Sequence, residues 1–327
     1  MDMHIVSAHE RLAFRDIAHV GACCEDEANT QEDGYVQNCL HAAWLSLTKI
    51  LPESRDNQTL KMHHKAIFEN NRFLGNAGIV RLTMQPQKKD IRLIRSLHLK
   101  KFRIQEGLFI AEGKKMVTEA IQSGHEIHSL FTTDEGFASD YPEAMMVNGK
   151  EMEQMSSFSS PSPYLAAIRQ RRLQTIPAIM SDVLVLDGIS DPGNFGTIMR
   201  SAEWFGIQQL ICTQDCVEFY NPKVIQASMG SVLRMEASYM DEKLIGNFLA
   251  EAGFILIGAA LGGKSVYDYH FEGKSAIVIG SESHGIRPAI KDHLTVILEI
   301  PGSGRAESLN ASVAAGVFMS ELFRRRS

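Results

Sequence analysis

The chain has 327 residues, of which 44% are apolar, so it can bury a sizeable core and is long enough for two domains or more. No run of eighteen uncharged apolar residues occurs, and the first residues show neither a basic nor an apolar leader pattern, so no membrane span and a cytoplasmic location are expected. The five cysteines, Cys23, Cys24, Cys39, Cys212 and Cys216, are odd in number and form no C-x-x-C pair, which argues against a disulfide framework and a zinc site.

The net charge of -6 conceals a segregation. Lys+Arg against Asp+Glu number 8 and 11 in residues 1–83, 13 and 11 in 84–177, and 12 and 17 in 178–327. Residues 1–83 are rich in His and Cys, hold the polar run "CEDEANTQEDG" and show little periodicity beyond a helical stretch at 39–51. They are expected to be an extension of uncertain structure that is dispensable, with Met84 the natural start and 84–175 and 180–327 the two domains.

From Met84 the pattern changes. The spacing predicts a helix over 88–103, a strand at 108–113, a helix at 115–124, a strand at 128–133, a helix near 150–156 and a further strand after "SSFSSPSP", with "LQTIPAIMS" as linker. Residues 88–115 carry nine basic and three acidic side chains, which reads either as a solvated helix face or as a phosphate-contacting patch.

The last 150 residues or so alternate short apolar runs with helical segments. Strands are expected at 183–188, 209–213, 254–261, 276–281 and 296–301, with Cys212 as plain core. Continuous apolar strands of this kind suit a mainly parallel sheet covered on both faces, whose ligands bind beyond the carboxyl ends of the strands. The unusual residues lie there. "DGISDPGNFGTIMRSAEWFG" breaks a strand at Pro192-Gly193, offers Asn194 as a helix N-cap and leaves Arg200 off the apolar stripe. "AIVIGSESHGIRP" ends a buried strand in Gly280 and a turn bearing Glu282, and it nearly matches a nucleophile elbow with Ser283 as a hydrolase nucleophile, though the first Gly is missing. "LEIPGSGRAESLNASVAAGVF" passes from a strand through small residues into an Ala-rich helix.

In order and spacing, "DPGNFGTIMRSA", "IGSESHGI" and "IPGSGRAESLNASVAAG" resemble the three motifs of the SpoU/TrmH class of SPOUT methyltransferases, and the resemblance runs over residues 180–323. At lower specificity, residues 91–121 and "SPYLAAI" resemble the small α/β substrate-binding domain that precedes the catalytic domain in ribosomal RNA 2'-O-methyltransferases of that class.

The resemblance implies an α/β fold whose parallel sheet, with helices on both faces, contains a deep trefoil knot. It implies S-adenosylmethionine bound by the loops at Gly280, Ile300 and Leu309, with no metal. It places Arg200 at the reacting hydroxyl, Asn194 and Glu282 as orienting groups, and Ser308 and Asn310 against phosphate, ribose or donor. Lys88, Lys89, Arg92, Arg95, Lys100, Lys101 and Arg103 become expected RNA contacts. The implied activity is methyl transfer to a ribose 2'-hydroxyl of RNA, ribosomal before transfer RNA, by a homodimer. A non-catalytic RNA-binding assembly factor and the Ser283 hydrolase are the readings from other classes.

Overall fold

The computed structural model describes residues 86–171 and 181–326. The expected linker at 173–181 and the calls made on residues 1–83 therefore lie outside the described residues, save Ser181.

The first domain is a four-stranded sheet with helices on both faces. Its strands β1 (Leu108–Glu112), β2 (Ile127–Thr132), β3 (Met145–Met146) and β4 (Tyr164–Arg169) lie in the order β1-β4-β2-β3. Helices α1 (Lys88–Ser96) and α5 (Gly149–Met155) pack on one face through Ile94, Leu97, Met152 and Met155. Helices α3 (Lys114–Gln122) and α4 (Glu135–Asp140) cover the other through Val117, Ala120 and Phe137.

The single helix expected over 88–103 is two, because the chain breaks at Leu97–Leu99 and restarts as α2 (Lys100–Glu106). The break frees the carbonyls of Leu97 and His98, and the Arg103 guanidinium donates to both, at 2.7 and 2.9 Å. Helix α4 and strand β3 escape the periodicity argument because they are six and two residues long. The Asp134 carboxylate caps α4 by accepting from the Gly136 and Phe137 amides.

The second domain is a six-stranded, wholly parallel sheet in the order β10-β8-β9-β5-β6-β7. Its strands are β5 (Val183–Asp187), β6 (Gln209–Thr213), β7 (Glu236–Met240), β8 (Ile255–Ser265), β9 (Ser275–Gly280) and β10 (Val296–Glu299). The five expected strands are present with bounds within a few residues of those expected, and Cys212 is buried as foreseen. Strand β7 is the addition: its sequence, EASYM, alternates weakly and sits at the sheet edge.

Helices α6 (Pro192–Trp204), α7 (Pro222–Ser228), α8 (Glu242–Glu251), α9 (Pro288–Lys291) and α10 (Ala311–Arg326) complete the domain. Helix α6 packs against α7 and α10, and the approach to α7 needs Gly196, where a Cβ would stand 2.5 Å from the Ala227 side chain and 2.7 Å from the Val224 carbonyl oxygen.

The two domains share buried contacts. Phe109 of β1 stacks on Tyr220 at 4.7 Å, and Arg103, only 2% exposed, pairs with Glu218. Arg234 bridges Glu119 of α3 and Glu203 of α6.

Candidate active site

Strands β5 and β9 are neighbours, with Asp187 paired to Gly280 at their carboxyl ends. The turn leading into α6 follows β5, and residues 281–287 follow β9. Residues 300–310 follow β10, two strands further along, and then enter α10, which packs against α6 and β9. All three motif loops thus leave the same edge of the parallel sheet.

Asn194, Glu282 and Asn310 meet there. The Asn194 amide nitrogen donates to Glu282 Oε1 at 2.7 Å, and the Asn310 amide nitrogen donates to Asn194 Oδ1 at 2.9 Å and, at 3.5 Å, to Glu282 Oε1. Asn310 Oδ1 faces the other way and caps α10, accepting from the Ser312 amide at 2.9 Å and the Ser312 hydroxyl at 2.6 Å. One side chain from each motif therefore closes a chain of directed hydrogen bonds. Asn194 is not the N-cap expected of it. Asp191 takes that position, accepting from the Asn194 amide at 2.7 Å, which leaves the Asn194 side chain for Glu282.

Sequence reasoning missed the group that fixes the loop after β9. Asp187, whose side chain is fully buried, accepts from the Arg287 amide at 2.7 Å and from Arg287 Nε at 2.6 Å. Arg287 also reaches Asp215 at 3.0 Å and Glu242 at 3.2 Å. Burial alone would lower the Arg287 pKa, but the bond to Asp187 and the charges of Asp187, Asp215 and Glu242 outweigh it and hold the pKa above its ordinary value. Burial would raise the Asp215 carboxyl, yet bonds from the Thr213 hydroxyl and its own backbone amide, with Arg287 beside it, hold it below its usual range. The signal was present: two Asp residues at strand ends and an Arg just before Pro288.

Gly280 is where this loop folds back. A Cβ there would lie 2.2 Å from the Gly285 carbonyl carbon, and the Gly285 amide donates to the Ser281 carbonyl at 2.9 Å. Ile300 is half-buried against the core, whereas Pro301–Asn310 are all exposed, Leu309 being 46% so. Backbone groups of residues 301–309 make no hydrogen bond to other described residues. Small residues, free backbone donors and acceptors and an exposed Leu suit a planar heterocycle held by main chain, which is the chemistry that the adenosine of S-adenosylmethionine would need.

Arg200 is exposed on α6, and among the described residues no acceptor holds its guanidinium. It lies six residues, roughly 9 Å along the axis, beyond Asn194. Ser308 is exposed in the loop before Asn310, and its side chain has no partner among the described residues. Neither joins the hydrogen-bonded cluster.

Of the expected RNA contacts, Lys88, Lys89, Arg92, Arg95, Lys100 and Lys101 are exposed on α1 and α2. Arg103 is a correction: it is buried and consumed by Glu218, Leu97 and His98, because the break between α1 and α2 needs a donor there. The hydrolase arrangement is not formed. Ser283 Oγ lies 2.7 Å from Nδ1 of its own neighbour His284, and among the described residues no carboxylate orients that ring. No helix among the described residues is long and apolar enough to cross a membrane, and none of their His, Cys, Asp and Glu side chains cluster in threes as a metal site would.

Comparison with known proteins agrees with this geometry. Residues 181–320 match the SpoU rRNA Methylase family, and residues 88–166 match the MRM3-like substrate binding domain. A Porphyromonas gingivalis structure assigned to the TrmH family of RNA methyltransferases is 30% identical, with a TM-score of 0.68, and covers 74% of this chain and 100% of its own. An rRNA methyltransferase from Sinorhizobium meliloti, solved with AdoMet bound, is 25% identical with a TM-score of 0.67, covering 75% of this chain and 97% of its own. The Bacillus subtilis 23S rRNA (guanosine(2553)-2'-O)-methyltransferase RlmP is 28% identical over 239 residues, 70% of this chain and 93% of that one.

The fold is that of SPOUT methyltransferases preceded by a substrate-binding domain. The chain belongs to the SpoU/TrmH family and is a methyltransferase of that family.

Proposed function

We propose that this chain transfers a methyl group from S-adenosylmethionine to a ribose 2'-hydroxyl of RNA, with ribosomal RNA as substrate. The observation that carries the reading is the junction of Asn194, Glu282 and Asn310, which assembles one polar side chain from each of three distant motifs at the sheet's carboxyl edge. The similarity to RlmP and the small basic domain favour ribosomal over transfer RNA.

When bound, S-adenosylmethionine supplies an electrophilic methyl group on a cationic sulfur. The loops at Gly280, Ile300 and Leu309 would hold it through main-chain groups, and the trefoil knot expected of the family would bring them together. Glu282, fixed by two amides, presents its second oxygen to a ribose hydroxyl. Arg200 sits on the same helix as Asn194, with no acceptor on its guanidinium among the described residues, and stabilises the alkoxide as the hydroxyl loses its proton, or holds the adjoining phosphate. Ser308 offers a hydroxyl to phosphate or ribose. Lys88, Lys89, Arg92, Arg95, Lys100 and Lys101 contact the RNA backbone. The enzyme acts in the cytoplasm as a homodimer.

The test is to map ribose methylation in RNA from cells with and without the gene, and to repeat the reaction with purified protein and labelled S-adenosylmethionine. Loss of one or a few 2'-O-methyl marks in ribosomal RNA is expected. Marks lost only from transfer RNA would move the substrate, and no transfer to any RNA would overturn the reading.

A further inference from the structure

Between the two domains lies an open cleft of about 320 Å³ that the methyl-transfer site does not use. One wall comes from the first domain: Ile110 and Glu112 of β1, Gly113 to Met116 at the start of α3, and Ser157 with Phe158 after α5. The other is Pro222, Ile225, Gln226 and Met229, which recur at the spacing of one face of α7. The opposite face of α7, at Val224, Ala227 and Ser228, lies against Gly196 of α6. Helix α7 is thus a partition one helix thick, with the helix that bears Arg200 on one side and the cleft on the other.

We infer that this cleft holds an unstacked nucleotide of the substrate RNA, a neighbour of the methylated one, with its base between the domains and its phosphate on Lys114 and Lys115. The inference rests on the proposed RNA substrate.

Four features carry it. The cleft's volume is at the lower end of the range for small-ligand pockets, about 300 Å³ and upward, so it takes a base and sugar rather than a helix. Phe158, Met116, Met229, Pro222 and Ile225 give it flat or pliable apolar surfaces of the kind on which splayed-out bases stack.

The rim is cationic. Lys114 and Lys115 are both exposed and neither forms a salt bridge among the described residues, although the charge of Lys114 acts on the Asp134 carboxylate. Lys114 Nζ rests 5.4 Å from the centre of the Tyr164 ring. The acidic side chain in the lining is already engaged, because Glu112 accepts from the hydroxyls of Ser156 and Ser157 and from the amides of Ser157 and Ser162, at 2.5 to 3.3 Å. Those bonds also fix the loop that carries Phe158.

Finally, the walls are held in register before any ligand arrives. Arg103 with Glu218, Phe109 on Tyr220 and Arg234 with Glu119 all cross between the domains, so binding orders little that is not ordered already.

The test uses the full chain and fluorescein-labelled hexaadenylate, hexacytidylate and hexauridylate, with ribose 5-phosphate as the control for sugar and phosphate without a base. Gln226→Trp fills the cleft from an exposed position on α7, and the double variant Lys114→Glu, Lys115→Glu reverses the rim. Each is expected to weaken binding of at least one hexanucleotide tenfold or more while leaving the S-adenosylmethionine Kd within twofold. In protein labelled at its methionine methyls, the Met229 resonance should shift with that hexanucleotide and not with ribose 5-phosphate.

Unchanged binding by Gln226→Trp, a silent Met229, or an equal shift with ribose 5-phosphate would overturn the assignment. A protein that methylates no RNA but shows these cleft effects would refute the proposed activity and leave the cleft standing.

Discussion

Asn310 uses both ends of one amide: its oxygen caps α10, and its nitrogen bonds Asn194 and Glu282. Asn310→Ala removes a cap, at a cost of about 1 kcal/mol, and also leaves Asn194 free to turn away from Glu282. The expected outcome is a modest fall in Tm with a loss of methyl transfer of a hundredfold or more, read by thermal unfolding beside single-turnover kinetics. Arg200→Ala should behave differently. Arg200 is exposed and supports no other described side chain, so stability and donor affinity should stay within experimental error while transfer is abolished. Loss of S-adenosylmethionine binding in calorimetry would show that Arg200 is structural.

The loop after β9 is the element on which the site depends, and Arg287 pins it. Arg287→Met leaves the fully buried Asp187 carboxylate with only one backbone donor, which should cost about 3 kcal/mol, with Arg287→Lys recovering part of it. The network has a pH signature. The Asp215 carboxyl is held below its ordinary 3.8, so its contribution is fully present above that value and is lost as pH falls through the lower folded pKa. Wild type should therefore lose, below about pH 4, the part of its advantage over Arg287→Met that the Arg287–Asp215 pair supplies, read from acid-unfolding curves.

How far the sequence exposes such elements depends on their physics. The buried strands β5, β6 and β9 announce themselves as unbroken apolar runs, and the three motifs mark the loops. The split between α1 and α2 does not, because a basic amphipathic pattern continues across it and the Arg103 bonds that go with the break are tertiary. Charge alone likewise made Arg103 look like its six exposed neighbours. The Arg287 cluster was hidden for another reason: its members lie up to 100 residues apart in the chain.

At the scale of the whole molecule, α6 and α10 carry exposed apolar side chains: Trp204 is 83% exposed, Phe323 53% and Val313 52%. The i, i+4 spacing sets Arg200 beside Trp204, so a second copy docked there would enclose the Arg200 site. Trp204→Glu should shift the sedimenting species from dimer to monomer at micromolar concentration and lower methyl transfer with it. A wild type that sediments only as a 36.4 kDa species would count against the dimer.

The junction of Asn194, Glu282 and Asn310 also has a kinetic side. Its partners are up to 116 residues apart, whereas the first domain closes its sheet within residues 108–169. Loop closure on that scale is slow beside the local pairing of a small sheet. A nascent or refolding chain is therefore expected to acquire its basic helices and small sheet first and the junction last, when residue 310 arrives, so that under the proposed function RNA binding would precede the ability to mark it.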